Sequence, residues 1–487
     1  MEESKYCNLG DVCNTISETY RANSSKVVLI NTSDVLEGAC LNHEKVENKD
    51  LKGQFKKVFH QNDILYSEIR PANKRFAFME ELKEYRLEEI GTIVGGATPS
   101  TKEQSYYDGN ISWITPKDLS NYTYRFISRG KRMISQNGFD SCSCKMLPKG
   151  SILFSSRAPI GYIAIAENEL CTNQGFKSII PNNRIVDNMF LFYLLEYNKH
   201  AIEGMGSGTT FKEVSGDVMK KFKVRIPCLQ KQKQIASVLS IIDEKIELNR
   251  RINDNLEQQA QALFKSWFVD FEPFKDGEFV NSEFGMIPKG WRTGVLSDII
   301  EILSGFAFKS NTFEFEGKYK LVTIKAVQDG YLELNEADGI NDVPVKVPRH
   351  CFLKKKDILL SLTGNVGRCC LVNSDNLLLN QRVAKIEPKK IADWAYTYIL
   401  FRLSDTKTYL ETISRGTAQA NLSPIETANM PILIPTREVM DAFSVCATPL
   451  VNYSMVLTIE AEKLAQQRDT LLPKLMSGEL KINDLTR

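Results

Sequence analysis

Between Leu229 and Phe268 the apolar positions fall at Ile235, Leu239, Ile242, Ile246, Leu256, Ala260, Leu263 and Trp267, alternating spacings of four and three. That pattern predicts one long helix carrying a coiled-coil seam. Two seam positions break the run, Asn249 and Asn253. Polar side chains at a seam weaken packing but favour one register, so the helix is expected to pair with a particular partner in a particular way. The partner is expected in the same chain. About 208 residues on, Phe443, Leu450, Leu457, Leu464, Leu471 and Leu475 occupy equivalent places, and Leu256-Glu257-Gln258-Gln259 is echoed by Leu464-Ala465-Gln466-Gln467. Pro227 and Pro435 stand just before the two helices, where proline marks a boundary, whereas Pro449 and Pro473 lie inside the second and predict a kink or local break.

The segments ahead of the helices read as two copies of one domain. Leu87-Glu88-Glu89-Ile90 leading to Gly96 corresponds to Leu296-Ser297-Asp298-Ile299 leading to Gly305. Strand-like runs follow, from Gly150 to Ser155 and from Lys356 to Ser361, each ending in a turn with Gly161 or Gly367. Next come Asn173-Gln174-Gly175 and Asn380-Gln381-Arg382, then helical apolar runs, Met189 to Leu195 and Trp394 to Leu403. The copies close with Gly206-Ser207-Gly208-Thr209-Thr210 against Arg415-Gly416-Thr417-Ala418-Gln419. The offset drifts only from about 206 to 209 residues, which chance does not produce. Short β-rich runs with glycine and proline turns, followed by a few helices, predict an α+β domain for each copy. Before them, Leu9-Gly10-Asp11-Val12 and Gln61 to Ser67 match two of the landmarks, so residues 1–81 read as a truncated third module. The predicted division is therefore 1–81, a first domain 82–228, a helix 229–270, a linker 271–290, a second domain 291–436 and a final helix and tail 437–487.

Composition changes this picture little. At 487 residues the chain exceeds a single core. Sixty-two Lys and Arg against 60 Asp and Glu leave a formal charge of +2, so any nucleic-acid surface must be local. Eleven Cys without a Cys-x-x-Cys pair or a secretory signal fit reduced thiols in the cytoplasm, and no run of eighteen apolar residues suggests a membrane span.

With the pieces Ile235 to Ile246, Leu263 to Phe271 and Leu471 to Leu480 in view, the chain resembles the DNA specificity subunits of type I restriction-modification systems. The resemblance covers nearly everything from Leu82 to Asp484; the partial N-terminal module departs from the pattern. It implies two tandem α+β target-recognition domains separated by two long helices that form an intramolecular antiparallel coiled coil. It further implies a non-catalytic subunit that binds double-stranded DNA, reads an asymmetric bipartite target, and holds two methyltransferase subunits and two motor and nuclease subunits. No cofactor is then expected on this chain; S-adenosylmethionine, ATP and Mg2+ belong to the partner subunits. A coiled-coil protein-interaction adaptor and a self-sufficient DNA-modifying enzyme are the competing readings.

Candidate DNA contacts follow from chemistry. Phosphates need cations and free amides, and bases need donors and acceptors on rigid supports. Arg125, Arg129, Lys131 and Arg132 form a cationic run interleaved with Tyr122, Tyr124 and Phe126; a solvated surface is the competing account. Ser207, Thr209, Thr210 and Lys212, with Arg415, Thr417, Gln419 and Asn421 in the second copy, are small, hydroxylated or cationic residues suited to a phosphate, or simply turns. Ser155 and Arg157, Ser361 and Thr363, Asn173 and Gln174, and Asn380, Gln381 and Arg382 come next, since Asn and Gln pair bidentately with adenine but also staple loops. Cys142-Ser143-Cys144 and Cys369-Cys370 lack partners at finger spacing, so no metal is expected. Asp243-Glu244-Lys245 reads as a solvated helix face, and there is no phosphate-binding Gly-rich loop or amino-methyltransferase motif.

Overall fold

The run Ile-Leu-Phe-Ser-Ser at Ile152–Ser156 is apolar where a strand covered on both faces needs it, and all five residues are buried. A computed structural model describes residues 82–480 apart from 158, 208–211, 316 and 417–419, together with short strand segments before residue 82. It divides into two compact units, residues 1–241 with 468–487, and residues 242–467.

In the first unit the elements are β1 (Lys83–Arg86), β2 (Gly91–Gly95), β3 (Tyr107–Ile114), β4 (Phe126–Ile127), β5 (Ile152–Ser156), β6 (Ile160–Ala166), β7 (Lys177–Pro181), α1 (Asn188–Gly204), β8 (Lys223–Ile226) and the start of α2 (Leu229–Phe268). The main sheet has the order β2-β7-β5-β6-β4. Hairpin β5-β6 is antiparallel, with Leu153 opposite Ala164 and Phe154 opposite Ile163. Gly161 enters β6 at φ +94°, a conformation that only glycine adopts without strain. α1 is capped by Asp187, whose Oδ1 accepts the Phe190 amide at 3.0 Å, and buries Phe190 to Leu195 against the sheet. β1 and β8 pair at the base, so the domain begins and ends beside the start of α2. Its core gathers Leu87, Phe154, Phe190 and Tyr193 with Ile235 and Leu239 of α2 and with Leu475 and Met476. Gln232, only 1% exposed, fastens the helix start: its amide donates to the Ile185 and Pro227 carbonyls and its oxygen accepts the Asp187 amide.

The second unit repeats the plan. Its elements are β9 (Arg292–Val295), β10 (Ile300–Ser304), β11 (Ile358–Ser361), β12 (Cys369–Leu371), β13 (Val383–Pro388), α3 (Trp394–Arg402), β14 (Pro431–Ile434) and most of α4 (Arg437–Ser477). The sheet order β10-β13-β11-β12 matches β2-β7-β5-β6, and β9 with β14 matches β1 with β8. The core joins this sheet and α3 to Phe264 and Phe268 of α2 and to Met440, Phe443, Ala447 and Val451 of α4.

Several local expectations are corrected. α4 runs unbroken from Arg437 to Ser477 through Pro449 and Pro473; the hydrogen bond that a proline withholds is outweighed by packing on either side. Residues 271–290 are more than a linker, because Phe271 and Phe274 pack on Trp291 and the hairpin Phe279–Ser282 with Gly285–Pro288 follows. At the end of α2 the fully buried pair is Phe264 and Phe268, with Leu263 and Trp267 at its margin, a one-residue rotation of the predicted seam. Asp243 is buried at 4% exposure whereas Glu244 and Lys245 are exposed, so these three do not form one solvated face. Among the described residues α4 is the one helix long and apolar enough to cross a bilayer by length and composition; Phe443, Ala447 and Val451 on it are core residues of the second unit. Of the truncated N-terminal module, Ile64–Tyr66 is a strand paired with Phe76–Phe78, and the Leu9 landmark lies outside the described residues.

Candidate nucleic-acid interface

Three segments distant in sequence meet at the end of β5, and the same three meet at the end of β11. In the first copy the Ser156 amide donates to the Gly175 carbonyl at 2.7 Å, and the Ser156 carbonyl accepts the Val214 amide at 2.9 Å. In the second, the Leu362 amide donates to the Arg382 carbonyl at 3.0 Å and its carbonyl accepts the Leu422 amide at 2.7 Å. The strand end is thus gripped by the Asn-Gln loop on one side and the Gly-Thr loop on the other. Each Gly-Thr loop is closed by a reciprocal backbone pair, Ser207 with Glu213 and Arg415 with Asn421. The Asn-Gln loop is anchored alike in both copies, Asn173 N to Ile114 O at 2.9 Å and Asn380 N to Val322 O at 3.1 Å. Gly96 and Gly305 permit this approach: a Cβ on either would sit 2.1 or 2.2 Å from the carbonyl oxygen of Asn173 or Asn380.

Side chains then divide into those that hold the frame and those that face out. Ser155 and Ser361 hold it. Ser155 Oγ donates to the Pro159 carbonyl and accepts the Tyr162 amide, both at 2.8 Å; Ser361 Oγ donates to Asn365 O at 2.6 Å and accepts the Arg368 amide at 3.0 Å. Both are buried, so these two hydroxyls, expected among the DNA contacts, are consumed by the turn. Accordingly, Ser361→Ala leaves the Arg368 amide and the Asn365 carbonyl unpaired, and thermal unfolding should register a loss of about 1–3 kcal/mol while the recognised DNA sequence stays as it was. An altered sequence would return the hydroxyl to the interface. Asn173 is likewise partly engaged, its Oδ1 accepting the Gly175 amide at 2.9 Å, and Gln174 Oε1 accepts the Thr98 hydroxyl.

Facing out in the second copy, Gln381, Arg382 and Asn421 converge with Thr363, Ser304, Leu362, Leu422 and Pro424 on one open cavity, while the Thr363 hydroxyl, expected among the DNA contacts, is buried. Asn380 is half-buried beside them, and Arg415 is exposed and paired with Glu426. In the first copy Arg157 bridges to Glu213, Nη1 to Oε2 at 3.8 Å, and Lys177 Nζ lies 3.4 Å from Glu213 Oε1. Ser207 and Lys212 are exposed beside it. Thr209, Thr210, Thr417 and Gln419 lie outside the described residues.

Of the cationic run, Arg129, Lys131 and Arg132 are exposed. The Lys131 amide is held by Asp118 Oδ1 at 2.8 Å, and the Arg132 guanidinium carbon lies 4.0 Å from the centre of the Tyr107 ring. Arg125 departs from the expected surface position: it is 6% exposed, with its guanidinium over Phe126 at 5.6 Å, because it enters the sheet at β4. Residues that the sequence did not single out are Glu213, Lys177 and Ser304. Aligning the copies at Ser207 and Arg415 would have placed Glu213 opposite Asn421.

Asn249 and Asn253 hydrogen-bond to α4 in the second unit: Asn249 Nδ2 donates to Glu460 Oε2 at 2.8 Å and Asn253 Nδ2 to Thr458 Oγ1 at 3.0 Å. Arg402 of α3, its side chain 11% exposed, reaches Glu257 of α2 at 2.5 Å and also Asp329, which Lys407 meets at 2.9 Å. Burial alone would raise the Asp329 carboxyl, but Lys407 and Arg402 hold it below the usual carboxylate range. In the first copy Cys144 is held down to about 6 by its hydrogen bond with Cys171, whose own thiol is pushed far up by the same contact and by burial. All cysteines among the described residues are free thiols, and no group of His, Cys, Asp and Glu among those residues is arranged for a metal ion.

The family described as "Type I restriction modification DNA specificity domain" matches residues 79–258 and 288–439. A type I restriction enzyme MjaIX specificity subunit from Methanocaldococcus jannaschii is 36% identical over 408 residues, covering 82% of this chain and 94% of its own. The HindI specificity subunit from Haemophilus influenzae is 25% identical, covering 99% of this chain and 100% of its own. The crystal structure of a type I S subunit from M. genitalium superposes with a TM-score of 0.50 at 16% identity, over 81% of this chain and 96% of that one, a likeness of fold.

Proposed function

Because this chain belongs to the DNA specificity subunits of type I restriction-modification enzymes, non-catalytic chains that recognise DNA, we propose that it reads an asymmetric bipartite duplex, one recognition domain to each half-site. The observation that carries this reading is the repeated cradle with unlike side chains. Ser156 and Leu362 are gripped in the same way, yet Arg157 and Glu213 stand where the second copy has Thr363 and Asn421. One scaffold with two sets of donors and acceptors recognises two different sequences.

The unread spacer is then set by α2 and α4 paired as an antiparallel coiled coil. Contacts inside each unit support this direction: Ile235 and Leu239 cluster with Leu475 and Met476 in the first, and Asn253 with Thr458 and Phe268 with Phe443 in the second. At a rise of about 1.5 Å per residue, the seam between Ile235 and Phe268 gives a rod of about 50 Å, one to one and a half turns of duplex. The helices also hold two methyltransferase subunits and, with them, two motor and nuclease subunits, and the assembly works in the cytoplasm. S-adenosylmethionine, ATP and Mg2+ are used by those partners and none by this chain.

The test uses the complex with its methylation subunits and a library of duplexes. Methylation confined to a split sequence is the expected result, and a complex indifferent to sequence would leave only a coiled-coil adaptor. The chain alone, given Mg2+ and S-adenosylmethionine, should neither cut nor methylate.

A further inference from the structure

We propose that Arg157, oriented by Glu213, reads a guanine in the half-site met by the first recognition domain. This deepens the split-target reading and rests on it. A guanidinium discriminates guanine by donating two parallel hydrogen bonds to O6 and N7, which is favoured when a neighbour restrains its direction. A phosphate contact needs no such restraint. Arg157 is restrained through its backbone and by an ion pair, without a side-chain hydrogen bond among those of the described residues. Its backbone is bridged to Glu213, which also closes the Gly-Thr loop by its reciprocal pair with Ser207. Its Nη1 faces one carboxylate oxygen of Glu213 at 3.8 Å, and Lys177, only 17% exposed, takes the other at 3.4 Å. Two cations on its two oxygens hold Glu213 between Arg157 and Lys177, so Glu213 is a positioning residue. With 36% of its side chain exposed, Arg157 retains donors that can face a groove.

The second copy isolates the side chains from the backbone. Thr363 and Asn421 form the same bridge at the same place, and the flanking amides and carbonyls are paired in the same way, but the pair is neutral. The difference between the two readers at this position is therefore chemical, an ion-paired guanidinium against an exposed amide beside a buried hydroxyl. The same equivalence means that the bridge tolerates either pair of residues.

The decisive variant is Arg157→Gln, which keeps a hydrogen-bonding side chain at the same backbone bridge but matches adenine rather than guanine. In the complex with the methylation subunits, methylation of a randomised duplex library should show one G·C position in one half-site relaxed about ten- to hundredfold, with the other half-site and the spacer as in the wild type. Arg157→Lys, whose single ammonium still donates to O6 and N7, should keep part of the guanine preference, and Glu213→Gln, which loosens the guanidinium without removing it, should relax the same position to a lesser degree. Full discrimination by Arg157→Gln, or a uniform weakening at every position, overturns the assignment. If the wild-type complex has a split target and the Gln variant reads it unchanged, only this inference fails. A wild-type complex without a split target removes the reading beneath it as well.

Discussion

Phe443→Ala should lower the stability of the second unit by about 3–5 kcal/mol, the cost of emptying a fully buried aromatic site. Phe443 is 0% exposed, and its ring centre lies 4.7 Å from Phe268, 5.7 Å from Trp267, 6.0 Å from Phe264 and 6.2 Å from Tyr396. It is the point at which α4, the end of α2 and α3 share one core, so the neighbours cannot close the space without moving a helix. Part of the loss is transfer of the ring to water, and part is the cavity left among rigid aromatic rings that pack edge to face. Urea unfolding followed by tryptophan fluorescence measures it directly, since Trp267 touches Phe443 and Trp291 touches Phe268. The comparison is Phe315→Ala, at a site 92% exposed, which should change stability by no more than about 0.5 kcal/mol. If the two variants lost similar amounts, the aromatic cluster would not be what joins the long helices to the second domain.

Inserting one heptad into both long helices should lengthen the spacer in the recognised sequence and leave both half-sites unaltered. The insertions belong after Asn253 in α2 and before Thr458 in α4, residues that meet at 3.0 Å, so that the seam gains the same length on each side. Seven residues add about 10 Å of helix, the length of about three base pairs. Three base pairs also turn the second half-site by about 100°, whereas a heptad rotates the seam by only about 20°. Affinity should therefore fall even as the preferred spacer grows. Mapping methylated sites with the complex decides it: changed half-site sequences, or an unchanged spacer, would deny the helices their part as a ruler. An insertion in α2 alone should destabilise the pair, since Asn253 with Thr458 and Phe268 with Phe443 cannot then both keep their register.

The duplication was legible in the sequence because its landmarks are local. Pro227 and Pro435 precede helices that start at Leu229 and Arg437, and Gly161 and Gly367 stand at turns of positive φ. Such residues act through their own backbone geometry, which spacing reports. The polar seam residues were legible for a similar reason, since a break in a heptad pattern marks itself.

The direction of side chains at the reading surface was decided only by the tertiary structure. Ser155 and Ser361 look like any exposed hydroxyl beside a turn until the Tyr162 and Arg368 amides arrive to occupy them. Arg125 has the composition of a surface cation but is drawn inside because the chain enters the sheet there. Glu213 gains its meaning only when the Gly-Thr loop folds back across the end of β5, bringing it to Arg157 and Lys177. By itself the sequence determined two copies, two long helices and where each begins, because these depend on periodicity and on residues that restrict their own backbone. Which of the candidate side chains reach outward depends on hydrogen-bond partners many residues away, and a hydroxyl or cation carries no local sign of whether such a partner will claim it.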